Sequence, residues 1–193
     1  MRPRFPTTLV RPMEALRRGA LRGLGSLLGV LLLGSAPLQA QEADPADVAS
    51  QDAIIAALYD VISGPAGEAR DWDRFHSLFI VEGARLIPTG VNSAGIAGYN
   101  VLTPGDYVEA AGASLEANGF FESEIGRTTQ EFGNIAHVFS AYDSRRTADD
   151  VEPFARGINS IQLFHDGSRW WITTVFWDSE RPDNPIPGIY LGG

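Results

Sequence analysis

The chain has 193 residues, no cysteine, no lysine and a formal net charge of −9 at neutral pH. That composition excludes a disulfide framework, thiol chemistry and lysine Schiff-base catalysis, and the acidity runs against nucleic-acid binding, which needs a basic footprint. Arginine is the only strong cation available.

Residues 1–40 read as a secretory signal peptide. Arg2, Arg4, Arg11, Arg17, Arg18 and Arg22 stand against the single acid Glu14, residues 24–33 are a short apolar run, and residues 35–40 are small and turn-forming, so cleavage is expected after Ala40. The apolar run falls short of the roughly 20 residues of a permanent span, so the mature chain is expected to be exported, periplasmic or secreted, without a membrane anchor. Arg17 and Arg18 leave the Sec and twin-arginine routes both open. Removal of the signal leaves nine arginines against 23 acids, a net charge of −14.

Residues 41–49, acidic and proline-containing, are expected to be a flexible lead. Ser50 or Asp47 caps a first predicted helix to about Ile62, with Ile54, Leu58 and Ile62 on one stripe and Ile55 and Tyr59 beside it. Residues 63–67 end it, and Asp71 opens a second short helix burying Phe75, Leu78 and Phe79. A strand over residues 84–87 is expected to stop at Pro88, and residues 90–101, rich in Gly, Ser and Asn, read as a loop or lid. Thr103 caps a third helix, Pro104 suits its first position, Tyr107, Val108, Ala111 and Leu115 form its buried stripe, and Asn118-Gly119 closes it.

The rest reads as strand. Residues 120–130 and 135–142 are two strands, a polar link spans 143–153, and two further runs flank His165-Asp166-Gly167-Ser168, where Asp-Gly suits a hairpin turn. By strict alternation Trp170, Ile172, Thr174 and Phe176 share one face of the last strand and Trp171, Thr173, Val175 and Trp177 the other. Ile158, Ser160, Gln162 and Phe164 share a face of the strand before it, which makes that face a candidate pocket wall. This is an α+β pattern, three N-terminal helices packed on a curved antiparallel sheet, in one domain over residues 50–181 with a Pro-rich tail over 182–193.

With that order of elements, and with D-G-S-R-W-W-I and V-F-W-D-S-E in the final hairpin, residues 50–181 resemble the nuclear transport factor 2-like superfamily. The resemblance implies a cone-shaped fold enclosing a cavity, shared by ketosteroid isomerase, scytalone dehydratase, limonene epoxide hydrolase and polyketide cyclase-like proteins. It does not imply one chemistry. Against the ketosteroid isomerase pattern, Ile87 stands where the carboxylate base would precede Pro88, Ser160 at the acid-donor position and Ala57 near the catalytic tyrosine position. That chemistry is therefore not expected, although Trp177 matches a tryptophan lining that pocket, and the alignment puts Ser160 and Gln162 in the cavity.

His137 interrupts the apolar strand 135–139. A buried neutral imidazole beside an acid would be a base or proton shuttle near pH 7; the plainer alternative is a histidine in a core hydrogen bond or on the outer face. Arg156 is placed to clamp a carboxylate or to pair with one of the many acids. Glu122 and Glu124 share a strand face and read either as partners for Arg156 or His137 or as a solvated face. Phe139 and Trp177 supply apolar contact. The histidine spacing gives no metal site, and no cofactor motif occurs. Trp170, Ile172 and Phe176 would leave an exposed apolar patch, which points to a homodimer through the sheet or to the tail folded over it. Three readings stay open: an exported protein binding a small apolar or amphipathic molecule, a cofactor-independent cyclase, dehydratase or hydrolase using His137 with a carboxylate, and a dimeric interaction module with a filled core.

Overall fold

The computed structural model describes residues 42–191. The expected signal peptide and its cleavage site lie outside the described residues.

α1 (Pro45–Val48) is a single turn within the segment expected to be a flexible lead. Asp44 accepts the Ala46 N–H at 2.9 Å, and Ala43 and Val48 are buried, so this part of the lead packs on the body. α2 (Gln51–Ile62) starts at Ser50, whose hydroxyl accepts the Ala53 N–H, and it buries Ile54, Ile55, Leu58, Tyr59 and Ile62 as its 3.6-residue period predicts. α3 (Trp72–Ser77) is capped by Asp71 and buries Phe75. α4 (Pro104–Asn118) opens with a reciprocal capping box between Thr103 and Asp106 and ends at Gly119, whose φ of +68° glycine adopts without penalty.

Six strands form one sheet: β1 (Arg85–Val91), β2 (Ala97–Tyr99), β3 (Phe121–Phe132), β4 (Ile135–Arg145), β5 (Ala155–His165) and β6 (Trp170–Ser179), in the order β2-β1-β6-β5-β4-β3. β3 to β6 are an antiparallel meander, but β1 lies parallel to β6 with Arg85 opposite Thr174. The sheet is therefore mixed rather than antiparallel throughout. β1 also runs through Pro88, its expected stop, and β2 lies inside the expected loop. Proline lacks the N–H of a ladder bond, yet its carbonyl accepts the Asn100 N–H at 3.1 Å, and only the three-residue β2 flanks β1 on that side.

The helices cover one face of the sheet, where Val138, Tyr142, Ile161, Leu163, Ile172 and Val175 meet Ile54, Leu58, Phe75 and Leu78 in one core. On β6 the simple alternation fails. Leu163 pairs with Ile172 and Gln162 with Thr174, which leaves Thr173 as an extra residue, a bulge that resets which side chains point inward. Trp170 and Ile172 before the bulge and Val175 and Trp177 after it all face the helices, while Phe176 faces outward, 45% exposed. Trp170 and Ile172 are thus core residues, not members of an exposed patch.

The tail returns over the outer face. Tyr190 meets Phe139 edge-on with ring centroids 4.9 Å apart, and the Ile186 N–H donates to Glu180. Where β5 passes between its neighbours, a Cβ at Gly157 would collide with the Asp178 carbonyl oxygen and lie 2.5 Å from the Tyr142 hydroxyl. Gly157→Ala is expected to cost about 1–3 kcal/mol through forced strand displacement. Urea unfolding followed by tryptophan fluorescence measures it, and an unchanged midpoint would mean that β5 yields freely. Among the described residues no helix is long and apolar enough to cross a membrane.

Candidate functional site

Between α2, α4 and the helix-facing side of the sheet lies a cavity of about 190 Å³. Its wall is apolar and aromatic, from Leu58, Ile62, Phe75, Leu86, Leu115, Phe120, Val175 and Trp177, and is interrupted by Tyr107, Glu122, Tyr142 and Asn159. Each polar group is delivered by a different element: Tyr107 by the second turn of α4, Glu122 by the start of β3, Tyr142 by β4 and Asn159 by β5. The start of β3 is itself fixed to the end of α2. Gly64 and Phe120 exchange two backbone hydrogen bonds, and Ser63 Oγ accepts the Glu122 N–H at 2.9 Å while donating to the Tyr59 carbonyl at 2.7 Å.

The carboxyl of Glu122 is held from both sides. Ser144 donates to Oε2 at 2.9 Å, and Asn159 donates to Oε1 at 3.3 Å. Asn159 also donates to the Tyr59 hydroxyl at 3.0 Å; Tyr59 and the Ser140 hydroxyl are 2.7 Å apart, and Ser140 donates to Glu124 at 2.5 Å. Glu124 in turn pairs with Arg127, which reaches on to Asp52. One connected string of hydrogen bonds therefore runs from the cavity to the surface beside α2. Since Ser140 gives its proton to Glu124, Tyr59 donates to Ser140 and accepts from Asn159, so from Asn159 the two hydroxyls pass their donors in one direction, toward Glu124, while Asn159 also donates to Glu122 on the cavity side.

Removal from water is the main influence on Glu122, and it pushes the carboxyl up to about 7, against the opposing hydrogen bonds from Ser144 and Asn159; repulsion from Asp143 adds to the rise. Tyr59 and Tyr107 are likewise pushed up, first by burial and then by the charge of Glu122, so both are hydroxyl donors at neutral pH. Tyr142 shifts in the same direction for the same first reason. What this arrangement offers is a small apolar chamber with one carboxyl poised between its two protonation states and two lining hydroxyls, of Tyr107 and Tyr142, that stay protonated.

The strand parity expected on β4 and β5 is reversed. Asn159, not Ser160, faces the cavity, and His137, Phe139, Ser160 and Gln162 all lie on the opposite face. His137 is bonded through Nε2 to Ser160 Oγ at 2.9 Å, so it is held away from Glu122 and Glu124. Arg156 pairs with Glu180 at 3.2 Å, and Glu124 sits under α2 in the string described above. Trp177 lines the cavity. Phe139 and Ser160 instead line a separate groove of about 610 Å³, where Ile158 and Phe176 of the outer face meet Ile186 and Tyr190 of the tail. In a third, wider groove of about 910 Å³ near α1, Asp166 is committed to Ser168, Arg169 and Trp171, and Arg169 to the Ser77 carbonyl and the Trp171 ring.

Sequence reasoning paired Glu122 with Glu124 on one face correctly but did not distinguish a cavity wall from a solvated one. The available signal was Glu122 directly following Phe120-Phe121 in a chain whose two helical stripes each carry a tyrosine, Tyr59 and Tyr107.

No family model matches the chain, and no curated protein matches it. Among solved structures, a protein of unknown function with a cystatin-like fold from Nostoc punctiforme superposes with a TM-score of 0.50 at 12% identity, covering 76% of this chain and 100% of that one. An NTF2-like protein of unknown function from Silicibacter pomeroyi gives a TM-score of 0.44 at 15% identity over 68% of this chain and 94% of that one. Another, from Methylobacillus flagellatus, gives 0.44 at 13% identity over 68% and 95%. At these identities the likeness is one of fold and carries no activity across. The helix and strand order and the mixed six-stranded sheet make an α+β fold similar to that of the Nostoc punctiforme protein, whose fold is described as cystatin-like.

Proposed function

We propose that the chain binds a small, compact, largely apolar molecule in the chamber between α2, α4 and the sheet. The observation that carries this reading is the combination of an apolar wall with one carboxyl and three convergent polar groups in about 190 Å³. An engineered apolar cavity of about 150 Å³ holds benzene, so a chamber of this size suits a single ring with one or two substituents and excludes a fused polycycle. Trp177 supplies the largest apolar contact, and Glu122 and Asn159 orient the polar end.

A second reading is favoured by the position of Glu122 near neutrality. A carboxyl that both takes and releases a proton at working pH is the requirement for cofactor-independent acid–base chemistry. In this version Glu122 takes the part first expected of His137, which points to the other face. Export through the N-terminal segment belongs to the same proposal, as does pairing of two copies. Such pairing would use the outer residues Phe164 and Phe176, which remain 37% and 45% exposed, and not Trp170 or Ile172.

Native mass spectrometry of the protein purified without denaturation from its own source tests the binding reading. A bound compound of on the order of six to ten non-hydrogen atoms is expected, lost on Trp177→Ala. An empty chain that no small ring compound protects against thermal unfolding would sink the reading.

A further inference from the structure

The geometry points to a protonated amine with a compact apolar body as the ligand of the interior chamber, its ammonium group set against the Glu122 carboxylate. The inference rests on the binding reading above and adds the charge of the ligand. Three observations support it.

The first is that the chamber holds an acid without a base. Among its lining side chains Glu122 is charged when ionised and no arginine or histidine accompanies it. The basic groups packed around this region are committed elsewhere. Arg70 gives its guanidinium to the carbonyls of Ile62, Gly64, Pro65, Glu68 and Leu115, Arg127 pairs with Glu124 and Asp52, and Arg145 pairs with Asp143. The other groups that act on Glu122 bring no positive charge: Asp143 on β4 is an acid that repels it, and Tyr59, Tyr107 and Tyr142 stay uncharged at neutral pH. A positive ligand is the missing counter-charge, and burial of an unpaired carboxylate is what it relieves.

The second is that the carboxylate is already oriented. Ser144 and Asn159 each occupy one oxygen from the wall side, and a carboxylate has about four lone-pair positions, so acceptor capacity remains. The third is the aromatic wall. Phe75 stacks on Tyr107 at 5.6 Å, and Tyr107 meets Trp177 edge-on at 6.3 Å, so a cation in the chamber lies among three aromatic rings, polarisable neighbours suited to a cation where a ring face is within reach. These contacts offset part of the desolvation cost of the ammonium, which the apolar body alone cannot recover.

Benzylamine and its neutral isostere benzyl alcohol, titrated into the purified full chain by calorimetry, separate charge from shape. At pH 8, where benzylamine is still protonated, it is expected to bind about tenfold or more tighter than benzyl alcohol. The preference should shrink as pH falls through 7 toward 5 and Glu122 takes up a proton. In Glu122→Gln the preference should vanish while benzyl alcohol still binds, which shows the chamber intact. Equal or tighter binding of benzyl alcohol by the unaltered chain at pH 8 overturns the amine assignment and leaves the binding reading standing. Failure of both probes at millimolar concentration overturns both.

Discussion

Arg70→Ala is expected to lower stability by about 3–5 kcal/mol, one of the two largest single-residue effects in this fold. The Arg70 side chain is nearly inaccessible, 7% exposed, and no carboxylate among the described residues forms an ion pair with it. Its Nε donates to the Ile62 carbonyl at 3.2 Å, and its terminal nitrogens reach Glu68 at 2.6 Å, Gly64 at 2.5 Å and Leu115 at 3.3 Å. Ile62 and Leu115 lie in the last turns of α2 and α4, where carbonyls have no helical partner and the partial charge is negative. One guanidinium thus ties two helix ends together with the loop between them. Truncation leaves several acceptors unsatisfied at once, at about 1–3 kcal/mol for each that water cannot reach. Against a global stability of about 5–15 kcal/mol such a loss is close to unfolding the domain. Arg70→Lys should recover only a minor part, because an ammonium cannot address carbonyls in a planar fork. Urea titration of the three proteins decides it, and a loss below about 1 kcal/mol for alanine would mean that water replaces the guanidinium.

Glu122→Gln is expected to act in the opposite direction, and only on one side of neutrality. The folded carboxyl titrates at about 7 against an ordinary value of 4.5. Below 4.5 both states carry the proton and the residue is neutral to stability. Between 4.5 and 7 the folded state binds the proton that the unfolded state has lost, so stability falls as pH rises through this window. Above 7 the full penalty is present, at most about 3 kcal/mol and less where water in the chamber solvates the charge. Glutamine removes that slope. It should raise the urea midpoint at pH 8 and leave it nearly unchanged at pH 4, a difference that loss of a hydrogen bond alone would not produce. A variant equally affected at both values would place the carboxyl in contact with bulk water.

The helices were legible in the sequence because their signals are local. Ser50, Asp71 and the Thr103–Asp106 pair cap helices within four residues of their own position, and Gly119 closes α4 by its own backbone angle. The buried stripe of α2 follows from period alone. What escaped was decided by distant pairing. Thr173 is an unremarkable residue in a β-rich run, and nothing near it says that two residues there oppose one across the ladder, yet that bulge puts Trp170 and Ile172 in the core while Phe176 stays on the outer face where it was expected. The assignment of Ser160 to the cavity failed for a related reason: two adjacent polar residues, Asn159 and Ser160, sit in an otherwise apolar strand, and only the covering helices choose between them. Glu122 could be seen as a strand carboxyl, but its shift follows from what α2 and α4 exclude from it.

The parallel pairing of β1 with β6 also governs the order in which the molecule can form. β1 is made early, between α3 and α4, and its only long partner is the last strand of the sheet. β3, β4 and β5 can pair in sequence while the chain is still growing, since β3 meets β4 across the turn 133–134 and β4 meets β5 across the link 146–154. α2, α3 and β1 have no such local solution. The helices can begin to pack on β3, β4 and β5, but a chain lacking β6 leaves β1 without its long partner and the core without Ile172, Val175 and Trp177. The final ten-residue strand thus both gives β1 its long partner and completes the chamber wall with Val175 and Trp177, so truncation before Trp170 is expected to abolish the fold.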